Sequence, residues 1–435
     1  MSRSARFASL LLVGLVLATS LTPGAAAQAR DAAGLDIPAA ARASSDFAAQ
    51  AATRAYLATV PADAKERSDA YFEGGYWLQF WNLLAAAAIY LVLLAGGWSA
   101  RMRDVGDRLT RWKNVHVLAY AAQFIVVTAL LSFPLTVYQG FFREHKYGLA
   151  TQTFGAWMGD QLKGLVLGVV LGGLFIMVLY RVLRGAPRTW WIWGSAVTVA
   201  AVVFGSLIAP VYVAPLFNTY STLDDPAVAD PILSMARANG IPASEVYVVD
   251  ASRQTTRVSA NVSGFLGTER ITLNDNLLSR ATLPEIEAVM GHEMGHYVLN
   301  HMYKMVLFFG VVVVLVFALL NRTSTWALGR WGASWGVRGV DDVAGLPLLA
   351  LVVAVIFFVL TPVMNSYIRV QEYEADIFGL NAARQPDGMA LVSLKLGEYR
   401  KLEPSTWEEI VFFDHPSGRT RIFSAMRWKA EHLTD

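Results

Sequence analysis

Six long apolar segments constrain the fold of this chain more than any other feature of its sequence. They span residues 77–98, 117–137, 165–180, 190–212, 305–320 and 346–367. A helix needs about 20 apolar residues to cross a bilayer. The third and fifth segments are shorter and must use flanking residues, which the fifth can take from a helix that precedes it without a break. The segments predict a mainly α-helical, polytopic membrane bundle of six helices.

The overall composition agrees with a multispanning membrane protein. Of the 435 residues, 55% are hydrophobic and only 16% are charged, whereas a soluble domain of this length carries more charge. The net charge of +2 argues against a nucleic acid as partner. The absence of cysteine excludes disulfides, thiolate metal sites and cysteine nucleophiles.

The first 27 residues have the pattern of a secretory signal peptide. Arg3 and Arg6 precede an apolar run, and the alanines at 25–27 resemble a small-residue cleavage site. The alternative is an uncleaved first membrane helix, which would make the bundle one of seven helices. The rest of the chain divides into a polar N-terminal segment (28–75), the N-terminal membrane helices (76–213) and a C-terminal domain (214–435) that includes the helices near 305–320 and 346–367.

The main polar block, between residues 217 and 304, has the features of a small α+β domain. The stretch "PILSMARANG" predicts a helix that ends at Gly240, "SEVYVVD" and "ERITLND" have strand character, and "SGFLGTE" supplies turn residues between them. Thr282 and Glu285 form a capping-box pattern with Pro284 in the first turn. A helix is therefore expected to begin directly after Thr282.

That helix carries the motif "HEMGH". His292 and His296 lie one turn apart on the same helical face, where two imidazoles can bind one metal ion, and imidazole nitrogens favour zinc. Glu293 is adjacent and can take a proton from a water that the metal activates. The alternative is a pair of histidines that only pack on the helix face.

A catalytic zinc site needs a third protein ligand and an open position. The stretch "NSYIRVQEYEADIFGL" offers Glu372 just past the sixth apolar segment. A helical hairpin through the membrane brings Glu372 to the same side as HEMGH. Asp376 lies on the same helical face and can accept a hydrogen bond from a metal-binding histidine, whereas Glu374 points elsewhere and ranks below Glu372. The alternative is an acidic face exposed to solvent.

These motifs resemble the type I CAAX prenyl protease family of membrane zinc endopeptidases. The resemblance covers roughly residues 115 to 428 and includes "FFREHKYGLATQTFG", "IAPVYVAPLFNTYSTL", "GHEMGHYVLNH", "NSYIRVQEYEAD" and "DHPSGRTRI". It implies a zincin-like protease domain, one zinc ion per chain, and a peptide or protein substrate that is prenylated in eukaryotic relatives.

The resemblance also implies roles for residues that their spacing does not single out. His415 is expected to donate a hydrogen bond to the developing oxyanion. Arg369 and Arg421 are expected to support the carboxylates of the site.

The strand formed by Ser259, Ala260 and Asn261 is expected to pair with the substrate backbone. Ser259 and Asn261 stand where the family has asparagine and tyrosine, and Ile368 stands where it has serine. The side-chain preference for substrate is therefore left open, while the chemistry is not.

The predicted activity is zinc-assisted peptide hydrolysis. An intramembrane protease of the site-2 type is excluded. Such a protease has its metal motif inside an apolar helix, whereas HEMGH here follows polar sequence. Asp387, the candidate for the distal aspartate of that class, also lacks an apolar flank. A transporter or receptor with a structural metal would not need Glu293. A quality-control protease that clears damaged membrane proteins without prenyl specificity stays open, because its zinc site would look the same.

Basic residues in short loops predict the orientation, because they favour the cytoplasmic side. The loops assigned inside contain Arg101, Arg103, Arg108, Arg111, Lys113, Arg181, Arg184, Arg188, Arg322, Arg330 and Arg338. The protein is then expected in a bacterial-type inner membrane, in contact with lipid, with its active site on the outer, periplasmic face. The zinc site of the eukaryotic relatives faces the cytosol instead.

Overall fold

The computed structural model describes residues 35–263 and 269–433. The predicted signal peptide or first membrane helix (1–27) lies outside these residues, as do residues 264–268 of the predicted turn. The described chain is mainly α-helical with one small sheet, which confirms the predicted fold class.

The helices follow one another through short connections. In chain order they are α1 (Ala49–Leu57), α2 (Ala62–Ala95), α3 (Trp98–Leu109), α4 (Lys113–Lys146), α5 (Phe154–Gly185), α6 (Trp190–Leu216), α7 (Pro226–Ala238), α8 (Asp275–Arg280), α9 (Leu283–Val298), α10 (His301–Trp335), α11 (Leu346–Ala383), α12 (Pro386–Leu396), α13 (Thr406–Phe412) and α14 (Gly418–Glu431). Each of α4, α5 and α6 includes one π-helical turn, and short 3₁₀ turns lie at Ala39–Ala41, Ala251–Arg253 and Val343–Gly345.

Within the described residues, six helices are long and apolar enough to cross a membrane, as predicted: α2, α4, α5, α6, α10 and α11. Large side chains such as Leu130, Val166 and Leu307 point outward from them, 66%, 63% and 72% exposed, onto the surface that a bilayer covers. Each helix is longer than the apolar segment that predicted it, because polar turns at its ends continue the same backbone hydrogen bonds. The proposed boundary between residues 75 and 76 therefore falls inside α2.

The predicted continuity between the HEMGH helix and the fifth membrane helix is wrong. Helix α9 ends at Val298, and α10 begins at His301. Asn300 between them has a φ of 58°, the left-handed conformation that asparagine tolerates better than most residues. The break separates α9 from the membrane helix, and α9 packs in one hydrophobic core with the sheet.

The N-terminal segment packs onto the C-terminal part of the chain. Tyr56 of α1 is fully buried in a cluster with Ile422 and Met426 of α14. Its hydroxyl donates a hydrogen bond of 2.7 Å to Asp387. Residues on either side of the N-terminal membrane helices therefore share one hydrophobic core.

A four-stranded sheet covers one side of α9. Its strands are β1 (Tyr220–Thr222), β2 (Val246–Val249), β3 (Ala260–Ser263) and β4 (Arg270–Asn274), in the order β1-β2-β4-β3. Strands β2 and β4 are parallel, and β3 runs antiparallel to β4 with Asn261 opposite Thr272. Since β3 is the last strand in this order, no other strand of the described residues pairs with its outer edge, which can accept a further strand.

The loops that were predicted to lie on the cytoplasmic side contact one another at the end of the membrane helices that is remote from HEMGH. Arg103 of α3 pairs with Asp342 at 2.7 Å, and both side chains are buried. The Ser99 hydroxyl donates to the carbonyl oxygen of Ala344 at 2.7 Å. Helix α11 runs from this end to the protease domain, so the basic loops and HEMGH lie on opposite sides of the bundle.

Candidate metal centre and active site

Helix α9 presents the HEMGH motif on the side that faces the sheet and α11. The predicted capping box at its start is confirmed, with the Thr282 backbone N–H donating to Glu285 at 2.7 Å. Lys395 pairs with the same carboxylate at 2.7 Å. These contacts fix the beginning of the helix and the rotation at which it presents its histidines.

Small residues let α9 and α11 approach closely. A Cβ atom on Gly379 would lie 2.7 Å from the backbone nitrogen of His292, and one on Gly295 would lie 3.1 Å from the Cα of Ala375. The crossing therefore admits almost no side chain, and it brings the carboxylates of α11 against the histidines of α9. The sequence signal for this contact is the pair Gly291 and Gly295, four residues apart on α9, together with Gly379 on α11.

The three predicted metal ligands come together. His292, His296 and Glu372 each offer a ligand atom, and these atoms lie within 4.8 Å of one another. The two Nε2 atoms are 3.1 Å apart, and each lies 3.4 Å from an oxygen of Glu372. Two imidazoles and one carboxylate form a donor set that suits zinc, and three ligands leave a fourth position open.

A buried carboxylate orients the first histidine. Asp376, 1% exposed, lies 2.8 Å from Nδ1 of His292, so the Nδ1–H donates to it and the Nε2 lone pair faces the shared ligand position. Arg421 forms an ion pair with Asp376 at 3.0 Å and contacts Glu372 at 3.4 Å. Burial lowers the pKa of His292, but its bonds to Asp376 and Glu372 outweigh this effect and raise it to about 9, so a metal ion that binds Nε2 must displace the proton there.

The second histidine is oriented by residues to which the sequence assigned no such role. Nδ1 of His296 lies 2.9 Å from Nδ1 of His301, and Nε2 of His301 lies 3.1 Å from Glu374. A neutral His301 that donates to Glu374 has a bare Nδ1, so it accepts the proton of His296 Nδ1 and leaves the Nε2 lone pair of His296 free. Lys304 pairs with Glu374 at 2.7 Å. The second carboxylate of "EYEAD" thus acts on the site through His301.

Glu293 lines a cavity of about 220 Å³ together with His292, His415 and Arg421. Burial and the charge of Glu372 raise its pKa to about 7, against the opposing effect of His292. A carboxyl group in this range can both accept and release a proton near neutral pH.

His415 enters the same cavity from the loop before α14. Its Nδ1 lies 2.7 Å from Asp414, and its Nε2 lies 3.1 Å from Glu372. The Asp414 carboxylate accepts the Nδ1–H, so the ring is held with Nε2 toward the metal ligands.

Arg369 does not take the place expected for it. It was predicted to support the carboxylates of the site, but its guanidinium donates to the backbone carbonyl oxygens of Glu409 and Phe413. It therefore holds the end of α13, just before the loop that carries His415. Glu372, less than one turn further along α11, faces the site, whereas Arg369 points toward α13. Only the tertiary structure shows which residues of this part of α11 face the site.

The predicted substrate strand lies beside the cavity. Ala260 and Asn261 belong to β3, whereas Ser259 directly precedes it and its backbone N–H donates to Asn274. Ser259 and Ala260 line the cavity that contains Glu293. An extended peptide added to the edge of β3 would pass next to the metal centre.

Comparison with known proteins identifies the relatives of this architecture. Residues 222–429 match peptidase family M48, and residues 49–219 match the CAAX prenyl protease N-terminal domain of five membrane helices. The uncharacterized metalloprotease YhfN of Bacillus subtilis is 28% identical over 77% of this chain and 79% of its own. CAAX prenyl protease 1 of Saccharomyces cerevisiae is 26% identical over 71% of this chain and 73% of its own.

A solved structure shares the fold. The crystal structure of S. mikatae Ste24p matches with a TM-score of 0.72 and 22% identity, covering 85% of this chain and 89% of that chain. The two family matches account for both the membrane helices and the domain that carries HEMGH. This chain belongs to the type I CAAX prenyl protease family, within peptidase family M48, and is a multi-pass membrane metalloprotease.

Proposed function

We propose that this metalloprotease is an endopeptidase that uses one zinc ion held by His292, His296 and Glu372. The observation that carries the proposal is the convergence of two imidazole nitrogens and a carboxylate beside a cavity lined by Glu293. Zinc bound there supplies Lewis acidity, which acidifies water and polarises the scissile carbonyl.

The side chains around the ligands have distinct proposed roles. Glu293 accepts the proton of the attacking water, which its raised pKa and its position in the cavity favour. His415, when protonated on both ring nitrogens, donates its Nδ1–H to Asp414 and its Nε2–H to the oxyanion of the substrate. Asp376 and Arg421 keep His292 and Glu372 oriented.

Metal removal tests this function. The purified full-length protein in detergent is expected to cleave peptides from a randomised decapeptide mixture, to lose this activity on chelation, and to regain it with one equivalent of zinc. Mass spectrometry of the products and metal analysis of the protein measure both quantities. Cleavage by protein that contains no metal would rule out the proposal.

The substrate is proposed to present an apolar group near the metal. A cavity of about 990 Å³ extends from His296 and His301 to Leu207, Val211 and Met305 of the membrane helices. Its lining supports a lipidated peptide, as the name of the CAAX prenyl protease relatives suggests. A quality-control protease that takes apolar segments of damaged membrane proteins is the second candidate, and the same cavity would accept them.

The active site is proposed to face the periplasm of a bacterial-type inner membrane. This orientation rests on the basic loops at the end of the bundle where Arg103 pairs with Asp342, opposite to HEMGH.

Single cysteines test the orientation, because the chain has no cysteine of its own. Asp224 in the protease domain and Arg108 in α3 are both exposed, so a cysteine at either position can react with a label. Gly106, in the same helix as Arg108, is unsuitable for a cysteine because it is buried against His116. An impermeant maleimide applied to intact cells is expected to label Asp224→Cys and not Arg108→Cys. Lysed cells, in which both variants should react, provide the control, and the reverse pattern in intact cells would place the site in the cytoplasm.

A further inference from the structure

Antiparallel pairing with the outer edge of β3 would give a bound peptide one direction. The first residue of this strand, Ala260, lies on the cavity of Glu293 and His292, whereas its last, Ser263, lies on the apolar cavity beside His296. An extended peptide that pairs antiparallel with β3 runs from Ser263 toward Ala260. The residues before the scissile bond then reach the apolar cavity, and those after it pass Ser259.

One further space continues from the Ala260 end. The cavity that contains Glu293 shares Val258, Ser259, Tyr399 and Arg400 with a wider one of about 490 Å³. The wider space is bounded by aromatic residues of α2 and by Arg143 and Arg257. The C-terminal side of a bound substrate therefore faces a region with three arginines and one carboxylate, that of Asp414, with Arg400 at its entrance.

Arg400 differs from the other arginines around these cavities. Arg421 pairs with Glu372 and Asp376, Arg257 pairs with Glu144 at 2.7 Å, and Arg143 lies over the Tyr71 ring at 3.9 Å. Among the residues that the structure describes, Arg400 has neither a hydrogen bond nor an ion pair through its guanidinium, although it lines both cavities. Burial and the positive charge of Arg421 lower its pKa. The carboxylates of Asp414 and Glu372 act on Arg400 through their charge without a hydrogen bond, so among the described residues its N–H donors have no acceptor and can bind a further anion.

We propose that Arg400 binds a carboxylate of the substrate on the C-terminal side of the scissile bond. This inference rests on the proposed function, because it assigns a specificity to the same site. The carboxylate belongs either to the C-terminus of the peptide or to an acidic side chain. A guanidinium fits both sources, since it presents paired N–H donors to the two oxygens.

Three matched peptides distinguish these sources. Each has the same cleavable sequence, chosen from the products of the decapeptide mixture, and carries a free C-terminal carboxylate, a C-terminal amide, or an amide with glutamate as the last residue. Charge-assisted hydrogen bonds of this kind contribute a factor of about ten to a hundred. The unmodified protein is expected to cleave the free acid with a kcat/KM at least about tenfold above that of the plain amide. Recovery with the glutamate peptide would assign the carboxylate to a side chain.

Arg400→Gln is expected to remove the preference by lowering kcat/KM for the carboxylate peptides only. Arg419→Gln is the matched control, because Arg419 is exposed and lines none of these cavities. Zinc content and thermal unfolding verify that both variants fold. Equal cleavage of all three peptides by the unmodified protein, a preference that survives in Arg400→Gln, or an equal loss for every peptide would overturn the inference while leaving the protease function intact. Failure of the unmodified protein to cleave any peptide would instead contradict the proposed function.

Discussion

Replacement of Glu293 by glutamine is expected to lower peptide hydrolysis by about a hundredfold or more while zinc stays bound. The amide keeps the size of the carboxyl group but cannot accept the proton of the attacking water, and general bases contribute about this factor. The three proposed ligands are unchanged, so metal content should stay near one ion per chain. Product formation measured by mass spectrometry and zinc measured on the same sample check both parts.

Glu287→Gln is the matched control on the same helix. Its carboxylate accepts a hydrogen bond from Gln385 and does not line the cavity of Glu293. We expect this variant to keep full activity. Unchanged turnover in Glu293→Gln would end the proposed mechanism, and loss of zinc in that variant would show that Glu293 acts on the metal centre itself.

Loss of the Glu372 side chain is expected to have the largest effect on the metal. Glu372→Ala removes the only proposed carboxylate ligand and leaves two imidazoles, so zinc affinity should fall by more than the tenfold to hundredfold typical of residues that only orient ligands. Metal titration of the purified variant measures the change. Hydrolysis should disappear with the zinc.

Glu374→Ala is the closest comparison, because it removes the same group two residues away. Glu374 contacts His301 and Lys304, and it reaches His296 only through His301. We expect zinc to remain bound, with an affinity lower by about tenfold at most. Equal loss in both variants, or a greater loss in Glu374→Ala, would contradict the assignment of Glu372 as the third ligand.

The sequence could identify those residues whose relative positions are set within a single helix. A run of apolar residues must leave water in any arrangement, so the six spans follow from composition and length. The spacing of His292 and His296 places them on one face of any helix. Glu372 and Asp376 share a face for the same reason, and the hairpin through the membrane accounts for their side of the bilayer.

The contacts between elements needed the tertiary structure. No local pattern reveals that Asn300 breaks the helix, because the apolar and polar residues around it suit a continuous one. Arg369 and Arg421 look alike as basic residues near acidic ones, yet Arg369 holds backbone carbonyls of α13 while Arg421 holds the carboxylates of the site.

The sequence by itself determined that the chain crosses a membrane and carries a metal-type motif, since hydrophobicity and helical spacing are properties of single segments. The tertiary structure decided which side chains complete the centre. His301 and Glu374 join it only because α10 starts beside α9, and the carboxylates of α11 reach the histidines only because Gly291 and Gly379 let the two backbones meet. Such contacts depend on how packed helices cross at close range, and residue spacing along one chain does not specify that crossing.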